Sequence, residues 1–94
     1  MELLGTGLAG TLESGDILIE IKPSDEPGIN IVLESIVSSQ FGQQIKKVIR
    51  ETLQAYGLDR VTVRAVDKGS LDCTIRARMI TAILRGCQSE DFRW

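Results

Sequence analysis

No histidine occurs anywhere in the 94 residues. That absence removes the usual base for a nucleophilic serine and a common nitrogen ligand for a metal. Cysteine is scarce, with only Cys73 and Cys87. Two thiols make no disulfide framework, and no CxxC pair supports a metal site. Long apolar runs are missing: no window approaches the ~20 residues of a membrane span. The opening MELLGTGLAG lacks the basic start and apolar stretch of a signal peptide. A basic excess is missing too, since the formal net charge is −2. A nucleic-acid binder shows a basic stripe that neutralises several phosphates. Here Lys46, Lys47 and Arg50 share one helical neighbourhood, but Glu51 follows at once. Neither nucleic acid nor membrane is expected as a partner, and the expected setting is the reducing cytoplasm.

What is present is an ordinary globular composition, 43% apolar and 26% charged, which argues against disorder or a fibre. A chain of 94 residues makes one domain, 1–94, around one modest core. DILIEIK puts Ile17, Ile19 and Ile21 on one face and Glu20 and Lys22 on the other, the alternation of a half-buried strand. PSDEPG breaks it as a loop. INIVLES follows with Ile29, Ile31 and Leu33 on one face, and the two strands are expected to pair as a hairpin. The period then changes. Phe41, Ile45, Val48, Ile49, Leu53 and Tyr56 form one stripe on a helix over 39–56. Ser38 or Ser39 can cap its start, and Gly57 suits the left-handed position past its end. RVTVRAV is a further strand, and DKGS a turn. Ser70 can cap a second helix over 71–84, with Leu71, Ile75, Met79, Ala82 and Ile83 inward and Gly86 as its stop. Residues 1–8 and 87–94 are expected to be loose termini. The order β-β-(β)-α-β-α, with the first strand upstream of Ser14, predicts an α+β fold: a small mixed or antiparallel sheet with two helices on one face.

The stretch AGTLESGD, residues 9–16, raises a chemical question. Ser-Gly and Gly-Asp pairs favour tight turns, so Ser14 is expected at a loop tip, within reach of another protein. It can be a plain turn residue. A catalytic serine is the poorer reading, because nothing here resembles a positioned base; no spacing supports a pair with Lys22 or Lys68. A third reading makes Ser14 a substrate, modified by an enzyme that brings its own base.

AGTLESGD, QFG at 40–42, and DKGSLDC with the following IRAR at 67–78 together resemble the acyl carrier protein, or gamma chain, of citrate lyase. The resemblance runs in order from about residue 9 to residue 84. It implies that Ser14 carries a phosphoribosyl-dephospho-CoA group through a phosphodiester bond. Glu13, Gly15 and Asp16 then form the flanking recognition loop for the modifying transferase, and plain solubility accounts equally well for the two carboxylates. It implies partners: an alpha subunit that transfers acyl groups, a beta subunit that cleaves citryl thioester to oxaloacetate, a prosthetic-group transferase and an acetylating ligase. The chain itself would be a non-catalytic carrier, with the thiol borrowed from the cofactor. Two alternatives stand beside it: the carrier subunit of malonate decarboxylase, and an unmodified α+β interaction module.

Other residues have a plain reading beside the functional one. Cys73, near a helix start, is expected as a buried apolar residue, and Cys87 as an exposed thiol past the helix end. Asp67, Lys68 and Asp72 mark either a partner contact or a turn and helix start. Arg76 and Arg78 either meet acidic groups on a partner or lie on a solvated face.

Overall fold

Three isoleucines at two-residue spacing anchor the sheet. The computed structural model describes residues 2–36 and 38–88, the side chains of 38 and 39 excepted. Its elements are β1 (Gly7–Ala9), β2 (Ile17–Pro23), β3 (Gly28–Ser35), α1 (Ser38–Ala55), β4 (Arg60–Asp67) and α2 (Asp72–Cys87). On β2 the alternation buries Ile17, Ile19 and Ile21, and on β4 it buries Val61, Val63, Ala65 and Asp67. Both helices contribute to the same apolar cluster, α1 with Ile45, Val48, Ile49 and Leu53 and α2 with Ile75, Met79, Ala82 and Ile83. The expected α+β architecture and its first strand upstream of Ser14 are both met.

The sheet order is β1-β2-β4-β3. The hairpin expected between β2 and β3 is therefore not formed: β4 lies between them, antiparallel to β2 and parallel to β3. The reason is in the connection. A parallel pair needs a long crossover, usually a helix. The 18 residues of α1 span about 27 Å at the helical rise, and the eight residues of β3 span about 26 Å. The helix thus returns the chain to the starting end of β3, and β4 enters as its parallel neighbour. Gly57, at φ +71, ends α1 as expected. Its N–H donates to the Gln54 carbonyl, and the Leu58 N–H to the Leu53 carbonyl, both at 3.0 Å, the paired bonds of a left-handed helix stop. Capping by Ser38 or Ser39 falls on side chains outside the described ones.

Several expectations for the helices and termini need correction. Phe41 and Leu71 are not core residues; they are 52% and 70% exposed and stand together beyond the sheet. Ser70 does not cap α2, whose N-cap is Leu71 with no side-chain hydrogen bond. Gly86 does not stop α2, which continues to Cys87. It is buried because the amino-terminal segment lies across it: the N–H groups of Leu4 and Gly5 both donate to its carbonyl, at 3.0 and 3.1 Å. Leu3 is buried as well. Residues 2–8 are thus tied down rather than loose. Cys87 belongs to the helix, while 89–94 lie outside the described residues.

Candidate functional site

Ser14 occupies the connection between β1 and β2. Gly10 opens the loop at φ +92, and a Cβ there would lie 1.8 Å from the Ile17 carbonyl oxygen, so only glycine lets the two strands close here. The Asp16 N–H then donates to the Glu13 carbonyl at 3.0 Å. This closes a four-residue turn with Ser14 and Gly15 at its corners. Gly15 has φ +84 with open space over its Cα, the positive angle a type II turn requires at its third position. Ser14 and Glu13 are exposed. Among the described residues no hydrogen bond reaches the Ser14 hydroxyl, and no group of carboxylates and thiols could hold a metal.

The corner is exposed but held from both sides. The Gly15 N–H donates to the Lys68 carbonyl at 2.7 Å, and the Lys68 N–H to the Asp16 carbonyl at 2.9 Å. These two bonds extend the β2–β4 ladder one step beyond the Ile17–Asp67 pair. Asp16, expected as a surface carboxylate of the recognition loop, is instead turned inward and 9% exposed. One of its oxygens accepts the Thr11 hydroxyl at 2.7 Å and the other the Ile17 N–H at 2.8 Å. Arg78 meets both, Nε at 2.9 Å and Nη2 at 3.0 Å. The Arg78 bonds, then Thr11, hold the Asp16 carboxyl well below the usual carboxylate range, against the opposing effect of burial. Thus Arg78 meets an acidic group of its own chain.

Asp67 organises the turn beneath. It is 1% exposed. Burial pushes its carboxyl up, but hydrogen bonds outweigh that and leave it below its ordinary value. The donors are the Ser70 hydroxyl, the Ser70 and Gly69 N–H groups at 3.0 and 3.1 Å, and the Ser35 hydroxyl at 2.8 Å. Asp72 accepts from Gln44 Nε2 at 2.8 Å. Cys73, expected to be buried, is exposed, and Cys87, expected to be exposed, is half-buried against the core; both are free. Cys73 precedes the inward Ile75 by two positions, or about 200° round the helix, which turns it outward. Burial raises the Cys87 thiol.

The arrangement is a packed scaffold with the exposed Ser14 on a turn clamped from both sides. A family model described as "Malonate decarboxylase delta subunit (MdcD)", of the acyl carrier protein type, matches residues 5–86. The citrate lyase acyl carrier protein of Streptococcus mutans is 54% identical over the whole of this chain and 92% of its own length. That of Escherichia fergusonii is 47% identical, with 97% of its length covered, and that of Latilactobacillus sakei is 50% identical, with 92% covered. The chain belongs to this family of acyl carrier proteins and is similar throughout to the citrate lyase members. A crystal structure of homoserine kinase from Cytophaga hutchinsonii matches 94% of this chain at a TM-score of 0.54 and 10% identity. The chain spans 36% of that kinase, and the likeness shows the fold alone.

Proposed function

We propose that this acyl carrier protein serves citrate lyase, with Ser14 as the attachment point of a phosphoribosyl-dephospho-CoA group joined through a phosphodiester. The observation that supports it is the exposed Ser14 hydroxyl at a turn fixed on both sides. Open space over Gly15 leaves a transferase room to approach. The Asp16 charge beside the anchor is matched by Arg78, so it does not oppose a phosphodiester as a bare carboxylate would. Of the flanking residues, Glu13 and Gly15 remain for transferase recognition, whereas Asp16 acts by holding the turn. When bound, the group supplies the thiol on which acetyl and citryl units are carried as thioesters.

The chain's own part is mechanical. It fixes one end of the arm and excludes the anchor from the mobile surface. Tethering then keeps the free end near each partner site at an effective concentration on the order of millimolar. The partners in this reading are the alpha and beta subunits, the prosthetic-group transferase and the acetylating ligase, in the cytoplasm. No helix among the described residues is long and apolar enough to cross a membrane.

The intact mass of the chain purified with active enzyme from its native host tests the reading. An adduct of the mass of the prosthetic group, absent in Ser14→Ala, is expected. A bare chain in an active complex would instead favour an unmodified interaction module. The description of the family model favours a second reading, the carrier of malonate decarboxylase. Co-purifying catalytic subunits separate the two.

A further inference from the structure

The turn that pins the serine loop has a second side. Lys68 pairs through its backbone with Gly15 and Asp16. The residues that follow, Gly69, Ser70 and Leu71, wall a half-open groove of about 390 Å³ against Phe41, Ile45 and the Gln44–Asp72 pair. The Asp67 carboxylate fixes this wall through Gly69 and Ser70. Large apolar side chains stay in water here: Phe41 at 52% and Leu71 at 70% exposed. Ile36, also 70% exposed, places its Cδ1 3.9 Å from where a Cβ on Gly69 would stand.

Position decides what can fill the groove. Through the 2.7 Å bond from Gly15 to Lys68, the Cα atoms of Ser14 and Gly69 are no more than about 8 Å apart by standard peptide dimensions. Another hollow of about 240 Å³, lined by Pro23, Leu58 and Val61, lies at the opposite end of β4, about 26 Å away. The groove is thus within reach of a group on Ser14, as is a hollow of about 190 Å³ on the other face of the sheet, lined by Leu8, Leu18 and Val66 with Glu20 and Arg64 and without an aromatic ring. Chemistry narrows the choice further. Phe41 offers an aromatic face for a flat ring, and Ile45 and Leu71 offer apolar edges. Asp72 offers a carboxylate at the rim, which repels phosphate and carboxylate groups but accepts a hydrogen bond from an amine.

We propose that this groove is the docking site for the adenine base of the arm borne on Ser14. The inference rests on Ser14 being the attachment point. A phosphoribosyl unit separates serine and adenosine, a spacing suited to so near a groove. The base is parked while the pantetheine segment and its thiol swing free. A carboxylate-bearing acyl unit is kept out of the groove by Asp72 and stays available to partners.

Methyl and aromatic NMR spectra of the bare and loaded chain test this, with loading checked by intact mass. Stacking of the base should move the Ile45 and Leu71 methyl signals and the Phe41 ring signals. In fully loaded Phe41→Ala the Ile45 and Leu71 shifts should be lost. If that variant fails to fold, Leu71→Gln, at a surface position, carries the same comparison through Ile45 and Phe41. An adduct on Ser14 with these signals unmoved overturns the inference and leaves the attachment reading intact. Signals that move only when alpha or beta subunit is added also overturn it, assigning the groove to a protein. A bare mass in the active complex sinks the attachment reading and the inference with it.

Discussion

At the residue scale, the serine corner depends on one carboxylate. Asp16 takes bonds from Thr11, Ile17 and Arg78, and Arg78 lies 62 positions away along the chain. Its carboxyl is held below the ordinary value in the folded chain. The unfolded chain therefore binds more protons as the medium is acidified, and the Asp16 contribution is present above about pH 4 and lost progressively below it. Replacing Asp16 by Asn should lower stability at neutral pH by about 1–3 kcal/mol, or roughly 4–8 °C per kcal/mol. The gap between the melting curves of the two proteins should be constant near neutral pH and begin to narrow between about pH 4 and pH 3. A gap that stays constant through that range would show that the carboxylate charge is not what holds the turn. The turn and the exposure of Ser14 were legible in sequence, because Ser-Gly-Asp is a local signal. The Asp16–Arg78 pair was not, because nothing near either residue encodes a contact between a loop and a distant helix.

At the scale of elements, glycines set how closely β1 docks on α2. A Cβ on Gly7 would lie 1.9 Å from the Ala82 carbonyl oxygen and 2.7 Å from the Gly86 nitrogen. Both obstacles are backbone, so no side chain can swing aside. Gly7→Ala should force the strand off the helix and cost at least about 1–3 kcal/mol, as overpacking does. Thermal melting of Gly7→Ala and amide exchange at Leu4 and Gly5 would check this. An unchanged melting point and protected amides would mean that β1 does not sit against α2 as described. This contact, not a helix stop, is what Gly86 serves, and it ties down the segment before β1. Glycine ends a helix or lets another backbone approach, and only the partner segment distinguishes the two. The strands and helices themselves were legible from their periods, since alternation and the 3.6-residue stripe are local. Their order in the sheet was not. The β2–β3 loop looked like a hairpin, whereas the length of α1 favoured a parallel crossover that placed β4 between them.

At the scale of the whole molecule, the core and the Ser14 turn are kept in different places. The core is the inward face of β2 and β4 under α1 and α2, and Ile49 and Leu53 are fully buried within it. Ser14 projects from the end of that sheet and takes no part in the core. Removing its hydroxyl should leave the fold almost untouched, within about 0.5 kcal/mol, as for surface substitutions in general. Ile49→Ala should cost about 2–5 kcal/mol, by lost transfer energy and the cavity left behind. The two variants should therefore separate the properties. Ser14→Ala is expected to melt with the wild type yet carry no adduct in the native host. Ile49→Ala should melt lower while its folded fraction still accepts the adduct at Ser14. Melting curves and intact masses of both, measured on the same preparations, decide the matter. A large drop in melting temperature for Ser14→Ala would show that the hydroxyl is built into the scaffold, which a carrier's anchor cannot be.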